Sequence, residues 1–160
     1  MGDLLAMKLG PRRGLLRGTS ATEHYERGCA LEATDRDAAI TAYRRALAGR
    51  PDFADAHNNL GRNLHDRGEL AVAESHYRLA VCGDSTVALY WFNLGVVVED
   101  QGRTAEAIGA YEQALTLDGR LADAHCNLAR LYDLVGRRAN DEHVMRRAFR
   151  HLVQYRQLAG

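Results

Sequence analysis

Along the chain, apolar positions fall into stripes with three-four spacing, separated by short polar turns. Trp91, Leu94, Gly95 and Val98 lie on one helical face between Ala88 and Val98, and Ala107, Tyr111 and Ala114 make a second stripe. Between them, Asp100-Gln101-Gly102-Arg103 supplies a glycine for the left-handed conformation that ends a helix, with Thr104 placed to cap the next one. Two helices that turn back on each other are predicted, crossing at roughly +20°.

The pattern recurs at a fixed interval. Asn59-Leu60-Gly61, Asn93-Leu94-Gly95 and Asn127-Leu128-Ala129 stand 34 residues apart, and Gly68, Gly102 and Gly136 follow at the same spacing. Ala39, Ala73 and Ala107 form another column, Tyr43, Tyr77 and Tyr111 the next, and Ala46, Ala80, Ala114 and Ala148 a third. A period of this length marks an array in which each unit buries its faces only against its neighbours.

The columns resemble the tetratricopeptide repeat family: Trp91, Leu94, Gly95, Val98, Ala107, Tyr111 and Ala114 match its signature, and Pro51 its closing proline. The resemblance covers residues 22–159. It implies an all-α, right-handed α-solenoid of antiparallel helix hairpins, with a concave groove lined mainly by the first helix of each unit. The expected units are a partial, capping one at about 20–53, then 54–87, 88–121 and 122–159, the last with an extended C-terminal helix. Residues 1–20 read as a basic leader or linker.

Both ends depart from the pattern. The opening helix, Glu23 to Leu31, lacks the Asn-Leu-Gly triplet, and Asp141 stands where the last unit should have a small residue. The final apolar pattern runs on through Met145, Ala148, Phe149, Leu152, Tyr155 and Leu158, as one long helix would. Phe149 and Val153 fall off its buried stripe and are candidates for self-association, making a homo-oligomeric scaffold the alternative function. The stretch Ala148 to Leu158 also weakly resembles the ending of repeat modules on bacterial transcription regulators, which would make the chain an effector-binding part.

Composition narrows the functions. Apolar residues are 46% and charged residues 26%, enough for a packed core. The 21 basic and 21 acidic side chains cancel, so no overall field recruits nucleic acid or an anionic membrane. Apolar runs such as Val96 to Val98 are far too short to span a bilayer. Residues 136–160 carry six arginines against Asp141 and Glu142, but no aromatic interleaving or recognition motif accompanies them, which argues against nucleic acid. Cys29, Cys82 and Cys126 imply no disulfide framework and fit a reducing, cytoplasmic interior. Lys8 is the only lysine among the basic residues, a bias that points to a GC-rich bacterial source.

No metal-ligand spacing, phosphate loop or nucleophile elbow is present, so neither an enzyme nor a cofactor is expected. His57 and His125 share the column of Trp91 and read as half-buried packing residues, His76 lies beside Tyr77, and Cys126 reads as a small packing residue. The asparagines carry the functional reading. Asn59, Asn93 and Asn127 each precede a buried leucine, so their amides point toward the groove or bond neighbouring helices. In the first case they would grip the backbone of an extended peptide, since a carboxamide offers both a donor and an acceptor. This resembles the asparagine ladder in the repeat region of the enzyme that attaches N-acetylglucosamine to proteins. Helical spacing adds Asp55, Arg62, His65, Phe92, Val96, Glu99, Asp123, Cys126 and Arg130 to the groove, with ordinary solvated faces the alternative for each charge. The family's carboxylate clamp for chaperone C-termini needs Lys and Arg at columns that here hold Asn58, Arg62, Asn93, Asp123 and Asn127, or His24, Gly28, Asn59, Leu89 and Asn93 in the preceding register, and it is absent. A non-catalytic module that binds a protein or peptide partner is the expectation.

Overall fold

The computed structural model describes residues 19–160, which fold into eight α-helices with no strand among the described residues. They are α1 (Ala21–Leu31), α2 (Arg36–Gly49), α3 (Ala54–Asp66), α4 (Leu70–Gly83), α5 (Ala88–Asp100), α6 (Thr104–Leu117), α7 (Ala122–Ala139) and α8 (Glu142–Ala159). Each odd-numbered helix folds back on the even one that follows, and each even helix except the last packs on the odd helix of the next hairpin. α3 also touches α5 directly. Odd helices therefore form the inner layer of an all-α solenoid and even helices the outer one.

Close approach within a hairpin depends on glycine. A Cβ at Gly61 would sit 3.0 Å from the Tyr77 ring, and one at Gly95 only 2.6 Å from the Tyr111 ring. Ala39, Ala73, Ala107, Ala46, Ala80 and Ala114 are all fully buried, as their columns predict. The first hairpin uses the same device one residue out of step. Gly28 lies beneath Tyr43, where a Cβ would meet the ring at 2.5 Å, so the missing triplet reflects a local shift in register rather than a different packing mode.

Capping is concentrated at the ends of the array. Ser20 and Glu23 form a reciprocal capping box at the start of α1, with Glu23 N–H donating to Ser20 Oγ at 3.1 Å and Ser20 N–H to Glu23 Oε2 at 2.7 Å. Asp35 caps α2, and Asp141 caps α8. Thr104 does not cap as expected. It is the first residue of α6, and Arg103 holds the N-cap position without a side-chain cap bond, because a guanidinium has no acceptor for a backbone N–H and instead donates to Glu74 and Glu106.

The last hairpin corrects the column reading in two places. Gly68 and Gly102 take the turn at φ 79° and 78°, but the third left-handed residue is Asn140 at φ 50°, not Gly136. α7 has 18 residues where α3 and α5 have 13, and Gly136 is buried inside it beneath Met145, whose Cγ a Cβ would meet at 2.7 Å. The longer helix also displaces α8. His57 pairs with His76, 19 residues away, whereas its equivalent His125 pairs with His151, 26 residues away. α8 is thus set seven residues later than α4, and Ala148 takes the place of Ala39, Ala73 and Ala107 rather than of Ala46, Ala80 and Ala114. The expected long final helix is present as α8. The leader expected over residues 1–20 lies, apart from Thr19 and Ser20, outside the described residues.

Candidate functional site

The inner faces of α3, α5 and α7 place equivalent residues side by side. Asp55, Asn58, Asn59 and Arg62 lie on α3, Leu89, Phe92, Asn93 and Val96 on α5, and Asp123, Cys126, Asn127 and Arg130 on α7. The middle helix is apolar and its neighbours are polar, with acid and arginine seven residues apart on each flank. Seven residues of helix span about 10 Å. Phe92 and Val96 are half-buried, each with one side on the core, and Phe92 leans on the Tyr111 ring at 5.6 Å. Leu89 is 48% exposed. The sequence had placed Leu89 only in a clamp column, because a single apolar residue at a helix start carries no periodic signal.

Asn59, Asn93 and Asn127 are half-buried, and a chain of amides through Asn58 joins Asn59 to Asn93. Asn59 Nδ2 donates to the Tyr25 hydroxyl at 3.3 Å and to the Tyr43 hydroxyl at 3.5 Å, both in the preceding hairpin. Asn58 Nδ2 donates to Asn59 Oδ1 at 3.2 Å, and Asn93 Nδ2 donates to Asn58 Oδ1 at 2.8 Å. Asn59 is thus tied to its neighbours, while Asn93 Oδ1 accepts no hydrogen bond among the described residues. An amide that donates becomes a better acceptor, so the chain strengthens that free oxygen. Asn127 stands beside the Tyr111 hydroxyl, partly offsetting the upward push that burial gives that phenol.

Most of the candidate charges join adjacent hairpins. Arg62 bonds Glu32, Arg130 bonds Glu99, the Tyr90 hydroxyl donates to Asp55, and His65 Nε2 lies 2.6 Å from Asp100. Burial would raise the Glu32 carboxyl, but hydrogen bonds from Tyr43, Arg62 and Asn63 outweigh it and hold the group below its ordinary value. Glu99 also accepts from the Tyr111 hydroxyl at 2.9 Å. Asp123 is exposed and has no hydrogen-bonding partner among the described residues.

Two readings change outside this face. His57 and His125 are buried rather than half-buried, and each repeats the bond of Trp91 to a carbonyl six residues upstream. Trp91 Nε1 reaches Ser85 O at 3.0 Å, His57 Nε2 reaches Pro51 O at 2.8 Å, and His125 Nε2 reaches Gly119 O at 3.2 Å. Their Nδ1 atoms meet those of His76 and His151 at 2.9 Å. Ring centroids 5.2 and 5.1 Å apart mean that the nitrogens point head-on at each other, the geometry of a shared proton rather than of a chelated metal. No group of three or more His, Cys, Asp or Glu able to hold a metal ion occurs among the described residues. Cys126 is exposed, not packed, because it occupies the place where Asn58 meets the next hairpin, and no hairpin among the described residues covers it. No helix of the described residues is long and apolar enough to cross a membrane.

Stacked hairpins with small residues at their crossings and a solvent-facing inner layer define a helical-repeat interaction scaffold. A tetratricopeptide repeat model matches residues 30–88 and a TPR repeat model matches residues 100–136, together more than half of the chain. The chain belongs to the tetratricopeptide repeat family. The fold is similar to a crystal structure of MamA protein, at 24% identity and a TM-score of 0.75 over 87% of this chain and 73% of that one. It is also similar to MamA 41-end from Desulfovibrio magneticus RS-1, at 21% identity and 0.73 over 88% and 76%. A third similar structure is the first TPR of Spaghetti (RPAP3) bound to HSP90 peptide SRMEEVD, at 22% and 0.70 over 73% and 94%. No curated protein matches the chain.

Proposed function

We propose that this protein is a non-catalytic interaction module that holds an extended segment of a protein partner across α3, α5 and α7. The observation that carries the reading is on α5. Leu89, Phe92 and Val96 form a half-exposed apolar strip beside Asn93, whose amide oxygen is the unpartnered end of the amide chain. A peptide N–H donates to that oxygen, an apolar side chain of the peptide covers the strip, and Asn127 takes the next backbone group. Asp123, which bonds nothing among the described residues, faces a basic position of the peptide, while Arg62, Arg130, Asp55, Glu99 and His65 are held in bonds between hairpins and shape the rim of the groove. In the RPAP3 domain the same fold carries a bound peptide. The clamp columns differ here, so recognition rests on amides and the apolar strip rather than on a terminal carboxylate.

Peptides selected from a displayed random library, then titrated by fluorescence anisotropy, test the proposal. Asn93→Ala combined with Asn127→Ala should weaken the selected peptides by roughly 30-fold, at about 1 kcal/mol for each of the two lost bonds. Adding Asn59→Ala removes the remainder but also loosens the first junction, so its helicity is checked by circular dichroism. Leu89→Asp, at an exposed position, should weaken binding without affecting the fold. Unchanged affinity in the double asparagine variant would overturn the ladder.

A further inference from the structure

We infer, resting on the inner face of α3, α5 and α7 as the binding surface, that the segment held there is cationic: a central apolar side chain with a lysine or arginine about three residues to either side. Asp55, Leu89 and Asp123 occupy one column of the repeat, each the second residue of its helix. All three are exposed, so the apolar residue of the middle helix stands between two carboxylates. α3 and α5 touch directly, which sets their axes about 10 Å apart. The repeat places α7 a similar step beyond α5. An extended chain advances about 3.3 Å per residue, so about three residues cover each step.

The charge balance around the strip sets the sign of the partner. Both arginines beside it are already neutralised, Arg62 by Glu32 and Arg130 by Glu99, each across a junction between hairpins. Asp66 and Asp133 have cations of their own in Arg36 and Arg137. Asp55 and Asp123 have none among the described residues. Asp55 accepts from the Tyr90 hydroxyl, a neutral donor that leaves the carboxylate charge in place, and Asp123 bonds nothing there. Anything crossing the strip therefore meets two carboxylates without counterions, whereas an acidic segment would find each neighbouring guanidinium engaged. An acid in the first turn also suits the positive end of a helix dipole, but that role bears on helix stability and not on the choice of peptide.

Selection from a displayed library of random peptides, run in parallel on the wild type and on Asp123→Lys, tests this. Peptides enriched on the wild type should carry Lys or Arg about three residues from an apolar side chain, and those enriched on Asp123→Lys should exchange one of these bases for Glu or Asp. Asp123→Asn should weaken a wild-type-selected peptide by roughly threefold at low salt with unchanged circular dichroism, and the difference should fade in high salt. The acidic peptide SRMEEVD, held in the RPAP3 structure, should not bind. Enriched peptides that lose affinity in the double Asn93→Ala, Asn127→Ala variant, yet are acidic or lack a base at that spacing, overturn this inference and leave the groove standing. So does an unchanged preference on Asp123→Lys. Peptides indifferent to the double asparagine variant, or no enrichment at all, overturn the groove itself and this inference with it.

Discussion

The second and third hairpins and the fourth bring their helices together by different means. In α3 and α5, a glycine in the middle of the helix lets a tyrosine of the next helix lie flat against the backbone. In α7 the buried glycine is near the C-terminus and lies beneath the flexible side chain and backbone of Met145. The fourth hairpin has consequently slipped by two turns. Its Gly136 keeps the column of the turn glycines Gly68 and Gly102 but has their neighbours' job, packing, while Asn140 takes the turn. A glycine's role is set by what crosses it, and a column position alone does not reveal that.

The largest effect that would break this contrast comes from filling the tyrosine contact. Gly95→Ala places a Cβ 2.6 Å from the Tyr111 ring, in the center of the core. Chemical denaturation should show a loss of about 2–3 kcal/mol, the range for overpacking where the neighbour has nowhere to go. A loss below about 0.5 kcal/mol would mean that the ring moves freely, and the glycine column would lose its explanation.

Gly136→Ala should cost less, about 1–2 kcal/mol, because Met145 Cγ can move but Met145 N, at 3.0 Å, cannot easily do so. The comparison is sharpened by where the damage falls. Hydrogen exchange should speed up in α7 and α8 and stay unchanged in α1 and α2. Uniform acceleration would mean that the four hairpins unfold as one unit.

The smallest effect separates hairpins two and four from hairpin three, where Trp91 replaces a histidine pair. Burial, then His57 and Arg44, push His76 down to about 4, and burial, then His125 and Arg147, lower His151. The unfolded chain takes up these protons near the ordinary value of about 6.5, and the folded chain does so only at lower pH. Their contribution to stability is therefore complete above about 6.5 and fades as the pH falls toward about 4. After allowance for solvent screening, the loss should be about 1–2 kcal/mol, and about half of it should vanish in His76→Gln. Glu74, held at about 2 first by its hydrogen bond from Arg103, keeps its charge across this window. A flat stability profile between pH 7 and 4, two values bracketing those shifts, would remove the histidine pairs as titrating contacts.

Much of the fold was legible because it is periodic. Tyr43, Tyr77 and Tyr111 and the alanine columns keep their spacing wherever the hairpins keep theirs. The offset of α8 was hidden because Gly136 preserved the period while its neighbours abandoned it. The histidine pairs escaped for the same reason, their separations of 19 and 26 residues sharing no interval. In the groove, Asn93 and Asn127 could be placed on the inner face from their neighbouring leucines alone. That Asn59 is bonded to Tyr25 and Tyr43 depends on side-chain reach across a junction, which no column records. Phe149 was readable as off the stripe, and it is 65% exposed.

The most direct test of the account is a map of backbone amide shifts in labelled protein titrated with a library-selected peptide. Shifts should concentrate on α3, α5 and α7 around Asn93, Val96 and Asn127, and spare the outer faces of α4 and α6. Shifts centred on the outer helices, with α5 silent, would contradict the inner face as the binding surface.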